Sequence, residues 1–227
     1  MFSGLMHTEL SRKTTTAKFP RWLSQFLYGN NSDYKLHPTV KNGNCLFDCV
    51  CQIMKSINLH TTITHLRKVV AFPVMNVKDT LMNETLKTWC LLAKESQEPS
   101  ISLELQHVQS IQDPLTPNAR LQIWNNMMNP SLYWGDEHAL RILEERLQCI
   151  FLIFSYNHGL HMPIDHTESS SYNPTHYTML YLSGKNEMCK HYRPISYKGQ
   201  WVFSLKDLPS RVKTGVMSKM LTPSTKL

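Results

Sequence analysis

Asn42-Gly43-Asn44-Cys45-Leu46-Phe47 is the stretch on which the reading of this chain turns. Gly43 takes φ > 0 without steric cost, and the flanking asparagines are turn formers. After Cys45, the apolar residues Leu46, Val50, Ile53, Met54 and Ile57 recur at helical spacing. The pattern predicts a tight turn that opens a buried amphipathic helix, with Cys45 at its N-terminus. Unpaired N–H groups and the positive dipole end there favour a thiolate over a thiol. The same N–H groups, with those of the Asn42–Asn44 turn, can cradle an oxyanion. The plainer alternative is that Cys45 is a small buried hydrophobe.

N-terminal to this stretch, Pro20 opens a helix carrying Trp22, Leu23, Phe26 and Leu27, which Gly29-Asn30-Asn31 ends. Thr61 or Thr62 caps a helix carrying Ile63, Leu66, Val69 and Val70, stopped before Pro73. Met82, Leu86, Trp89 and Ala93 mark another helix over 78–94. Residues 95–115 read as loop, with a short element at His107–Ile111. Thr116-Pro117 starts a helix with Ile123, Trp124, Met127 and Met128 inward. Asp136 caps a helix carrying Ala139, Leu140, Leu143 and Leu147. Cys149–Phe154 is a continuous apolar run, the pattern of a fully buried strand. Residues 155–175 read as a loop. Tyr177–Leu182, His191–Ser196 and Gln200–Leu205 read as further strands. Helices come first and strands later, which predicts an α+β fold with helices on a small antiparallel or mixed sheet.

The chain has 227 residues and is 41% hydrophobic, sufficient for one domain with extensions. No apolar run approaches the ~20 residues of a membrane span, and no secretory signal pattern opens the chain. Six scattered cysteines form no C-x-x-C pair, which argues against a zinc framework or a disulfide scaffold and for a reducing, cytoplasmic or nuclear setting. Cys49 and Cys51 cannot face one way on a helix. The net charge is +7, distributed as +4 over residues 1–41 (six basic, two acidic), −1 over 42–204 (13 and 14) and +4 over 205–227 (five and one). A basic excess at the two ends, rather than on the body, argues against a nucleic-acid-binding domain. The expected organisation is an N-terminal extension with a short helix (1–34), a folded domain (35–205) and a basic tail (206–227).

A thiol nucleophile needs a proton acceptor that later protonates the leaving amine, and histidine suits both steps. His191, in Lys190-His191-Tyr192-Arg193, opens a strand directly after a strand–turn unit. His176 also opens an apolar strand, and composition does not choose between the two. His158, His161 and His166, with Asp165, form a third group; their irregular spacing favours a polar loop near the cleft over a metal site.

Asn42–Phe47 resembles the D-G-N-C-L-F nucleophile motif of the ovarian tumour (OTU) family of cysteine deubiquitinases. Thr64–Val70 is similar to that family's L-R-x-x-(V/A) helix. Tyr133-Trp134-Gly135-Asp136, with the following helix and strand, is similar to its W-G block. Met179–Leu182 followed by His191-Tyr192 resembles its strand pair ending in H-Y or H-F. The resemblance spans about residues 35–205. It implies a hydrolase acting after the C-terminal glycine of ubiquitin or a ubiquitin-like modifier, without a cofactor or metal, as a monomer. It implies Cys45 as nucleophile, His191 as base, Asn42–Cys45 as the backbone oxyanion hole, and Trp134, Asp136 and Tyr192 at the substrate. Asp136, Glu137 and Asp165 are the acidic candidates for the arginines of the ubiquitin tail. Two positions depart from the family: Asn42 stands for its aspartate, and Arg193 for its Asp or Asn after the histidine. Asn42 is then the candidate to orient His191. Other readings are a viral polyprotein protease, an OTU-like ubiquitin-binding scaffold, and nucleic-acid binding through the basic ends.

Overall fold

A computed structural model describes residues 18–27, 33–95, 105–162, 174–184 and 190–221. The elements run α1 (Arg21–Leu27), β1 (Tyr34–Leu36), α2 (Cys45–Ser56), α3 (Ile63–Ala71), α4 (Thr80–Glu95), α5 (Pro117–Met128), α6 (Glu137–Leu147), β2 (Cys149–Ser155), β3 (Gly159–His161), β4 (His176–Ser183), β5 (His191–Tyr197), β6 (Val202–Ser204) and α7 (Ser210–Leu221). Short 3-10 turns occupy Phe72–Met75 and Gln106–Val108. Thr62 and Asp136 cap their helices as expected, accepting from the N–H groups of His65 and Ala139, and Thr116, where the next helix was expected to start, accepts from that of Ala119. Each satisfies a donor that the helix itself leaves unpaired.

The sheet is mixed, in the order β1-β5-β4-β2-β3, with β6 pairing the first residues of β4. β2 and β4 run parallel and the other pairs antiparallel. β2 is apolar from Cys149 to Phe154 and buried along its whole length, covered on both faces. Phe151 and Ile153 join the core under α2–α6, while Ile150, Leu152 and Phe154 join a second core. That second core is made by Leu23 and Leu27 of α1 and by Leu208, Val212 and Val216 at the C-terminal end.

Here the structure corrects the expected boundaries. Residues 210–221 form a helix rather than a tail. The stripe Leu208–Val212–Val216 repeats every four residues and is buried, while Arg211 and Lys219 stay in solvent. The charge count registers the outer face of this helix and not its inner one. α1 likewise belongs to the body, in the layer opposite α2. The 155–175 loop contains β3, and Tyr34–Leu36 adds a strand absent from the sequence reading. The 1–17 segment, the Gly29-Asn30-Asn31 stop, Asp165, His166 and the centre of the 183–190 turn lie outside the described residues. Among the described residues, no helix is long and apolar enough to cross a membrane.

Candidate active site

Cys45 is the first residue of α2, as its turn requires, and it is buried to 5% exposure. Gly43 has φ +77°, and a Cβ there would stand 1.8 Å from the Pro130 carbonyl oxygen. Only glycine fits that conformation against that wall. Gly135, at φ +87°, brings the Trp134–Asp136 turn down on Leu46, whose Cδ2 lies 2.7 Å from where a Cβ would be.

The nucleophile turn is clamped from below by Arg67 of α3. Its Nε donates to Asn44 Oδ1 (2.8 Å), and its terminal nitrogens donate to the carbonyls of Gly43 (2.9 Å), Tyr133 (2.9 Å) and Met127 (2.6 Å). The guanidinium also lies 4.5 Å from the centre of the Phe47 ring. Burial pulls Arg67 down to about 10, still a cation at neutral pH. Because a trans peptide sets C=O and N–H in opposite directions, fixing the Gly43 carbonyl on Arg67 turns the Asn44 N–H away from it. The sequence reading places Arg67 only within a helix block. The available signal was a charged residue between Leu66 and Val70 on the apolar face of that helix.

His191 opens β5, and α2 packs on β5. The N–H of Tyr192, the residue beside His191, lies against the Cys45 sulfur and favours its thiolate. Strand register separates the two histidines. Ser183 pairs with His191, and His176 pairs with Ser204 at the other end of β4. Seven residues of strand separate the two ends, about 23 Å at ~3.3 Å per residue. His176 is exposed and bonded to the Thr175 hydroxyl.

Asn42 does not meet His191. Its Oδ1 accepts from Asn44 Nδ2 at 3.2 Å, so its amide braces the turn. The Nε2 of His191 instead lies 3.1 Å from Thr39 Oγ1. Among the described residues, sulfur and imidazole are not hydrogen-bonded to each other.

The electrostatics favour two neutral partners. Burial pushes the Cys45 thiol up; the N–H groups of Tyr192, Leu46 and Cys45 pull it back, and the Asp48 carboxylate adds to the rise. The expected thiolate preference at the helix N-terminus is thus outweighed by desolvation. Burial also holds His191 below its ordinary value, helped by the cations of Arg193 and Lys41 and opposed by Asp48. Both directions favour the neutral forms of the two groups, thiol and imidazole.

Cys45 opens on a cleft of about 650 Å³. Trp134, Gly135, Asp136 and Glu137 line one side, and Tyr192 and Lys190 another. Trp134, Asp136 and Tyr192 line this cleft together with Cys45. Asp136 is already engaged: one oxygen accepts from Ala139 N–H (3.0 Å) and the Tyr133 hydroxyl (2.6 Å). Glu137 is exposed on the same wall. His158 and His161, rings 5.6 Å apart, line the far part of the cleft.

A cysteine at a helix N-terminus and a histidine heading the adjoining strand form a thiol–imidazole arrangement on an α+β scaffold. The fold is that of OTU domains. The chain is similar to an ovarian tumour domain solved in complex with ubiquitin, at a TM-score of 0.50 and 13% identity, over 80% of this chain and 83% of that one. It is also similar to an OTU deubiquitinase from Wolbachia pipientis wMel, at a TM-score of 0.42 and 15% identity, over 81% and 98% of the two chains. No family model and no curated relative matches the chain.

Proposed function

We propose that the protein is a cysteine isopeptidase that cleaves after the C-terminal glycine of ubiquitin or a ubiquitin-like protein. The observation that carries this reading is Cys45, first in its helix, with its sulfur against the N–H beside His191. The OTU fold adds the substrate class, because an OTU domain of the same fold has been solved with ubiquitin.

In this scheme His191 removes the Cys45 proton as sulfur attacks the glycine carbonyl carbon. The carbonyl becomes an oxyanion, stabilised by backbone N–H groups of Cys45 and the Asn42–Asn44 turn. Collapse breaks the C–N bond, and His191 gives its proton to the departing lysine amine. His191 then activates a water that hydrolyses the thioester, freeing the carboxylate and restoring the thiol. Trp134 and Tyr192 flank the diglycine tail, and Glu137 faces the arginines before it. Attack by a thiol suits a reducing cytoplasmic or nuclear setting.

Hydrolysis of a ubiquitin–lysine isopeptide substrate tests this. Wild type is expected to turn over, while Cys45→Ala and His191→Ala each lose at least ~10²-fold. Ubiquitin binding that persists without turnover, and is unchanged in Cys45→Ala, selects the scaffold reading instead. Neither binding nor turnover overturns both.

A further inference from the structure

The segment between β1 and the nucleophile turn is strapped down on two sides. The His37 N–H donates to the Pro194 carbonyl of β5 (3.0 Å), and the His37 ring meets the Ser196 hydroxyl (2.8 Å) and stacks on Trp201. On the α2 side, Gln52 donates to the Pro38 carbonyl (2.9 Å), and the Val40 N–H donates to the Asp48 carboxylate (3.0 Å). Thr39 sits between these anchors. Its hydroxyl donates to the Tyr192 carbonyl at 2.6 Å, and the same oxygen lies 3.1 Å from His191 Nε2.

A hydroxyl carries one proton. Here that proton is committed to the Tyr192 carbonyl, so the oxygen meets the imidazole as an acceptor. The ring nitrogen facing it must carry the hydrogen. In a neutral imidazole, the other nitrogen, Nδ1, then holds the lone pair. We infer that Thr39 is the positioning residue of this site: its hydroxyl fixes His191 as the Nε2–H tautomer and leaves Nδ1 to accept the Cys45 proton. This rests on the proposed thiol–imidazole chemistry and supplies the part that neither Asn42 nor Arg193 provides.

The assignment differs in kind from a carboxylate partner. A hydroxyl orients the ring and selects its tautomer without adding a negative charge to hold an imidazolium. The cations Lys41 and Arg193 stand near the ring as well. Thr39 therefore sets geometry for a base that works from its neutral state.

Long-range ¹H–¹⁵N NMR of the histidine rings, with His191 assigned by loss of its signals in His191→Gln, reads the tautomer without substrate. Wild type is expected to show His191 as Nε2–H with Nδ1 unprotonated at pH 8. Thr39→Val keeps shape and removes the hydroxyl, so a tautomer mixture is expected. Thr39→Ser retains the hydroxyl and is expected to match wild type, which separates the effect from simple loss of packing. On the ubiquitin isopeptide substrate, Thr39→Val is expected to lower kcat on the order of 10- to 100-fold with KM little changed, and Thr39→Ser to restore most of it. An Nδ1–H tautomer in wild type, or a Thr39→Val spectrum identical to wild type, overturns the assignment. The wild-type Nε2–H spectrum with its loss in Thr39→Val, but no turnover by any variant, leaves the tautomer role standing and removes the isopeptidase reading.

Discussion

The two halves of the candidate site are held by very different means. The nucleophile turn is over-determined: a buried guanidinium makes four hydrogen bonds to it and its surroundings, and Gly43 is pressed against Pro130. The imidazole side depends on one neutral hydroxyl, with a cation, Arg193, two residues along the strand. The contrast shows where precision is stored. In the proposed reaction the electrophile must be met by a sulfur and an oxyanion cradle of fixed geometry, whereas the base needs an orientation and a tautomer. A site built this way should lose its fold when the first half is cut and only its proton chemistry when the second half is altered.

The largest break in that comparison is Arg67→Met. Four acceptors lose their donor at once, two of the bonds being fully buried, so unfolding in urea should show a loss of about 3 kcal/mol or more. A loss under ~1 kcal/mol would mean that the clamp is not what holds the turn. Next is Gly43→Ala, where the added Cβ meets a backbone oxygen that cannot swing aside. Alkylation of Cys45 by a ubiquitin-based electrophile should slow on the order of 10²-fold, since a misplaced reacting atom costs about that much. Near-normal rates would show that the turn has room.

A smaller effect should appear in the pH dependence of stability. His37, His138, His161 and His191 are all held below the ordinary imidazole value of 6.5, by burial first. In the unfolded chain they take up protons as pH falls through 6.5; in the folded chain they resist until lower pH. Stability should therefore be greatest above pH 6.5, fall as pH drops below it, and level off once the folded-state values are passed. Urea midpoints at pH 8, 6.5 and 5 measure this, and a flat series would contradict the buried neutral state. The finest test is Arg193→Asp, which removes a cation near His191 and installs an anion. Both changes favour the imidazolium, so the acid limb of the Cys45 alkylation rate should move up by about one pH unit. An unmoved limb would mean that Arg193 does not act on the ring.

Much of this was readable in the chain because it is local. The Asn42–Cys45 turn, the caps at Thr62, Thr116 and Asp136, and the doubly buried β2 follow from residues within a few positions of each other. What was not readable depends on register and on distant packing. His191 and His176 both head apolar strands, and only the pairing of β4 with β5 and β6 puts one near α2 and the other at the far end. Thr39 carries no signal of its own, because its role arises when β1, β5 and α2 converge. The helix at 210–221 was missed for a different reason: its basic outer face dominates the composition, while its buried stripe has only two members, Val212 and Val216, with Leu208 just before it.

In the proposed reaction Cys45 is the group that attacks a ubiquitin C-terminus. The most direct test of this is intact-mass measurement of the protein after reaction with ubiquitin bearing a C-terminal thiol-reactive group, followed by peptide mapping of the modified cysteine. One adduct per chain, on Cys45, absent in Cys45→Ala and slowed in His191→Ala, is the expected result. No adduct at high probe concentration, or an adduct on another cysteine that persists in Cys45→Ala, would contradict it.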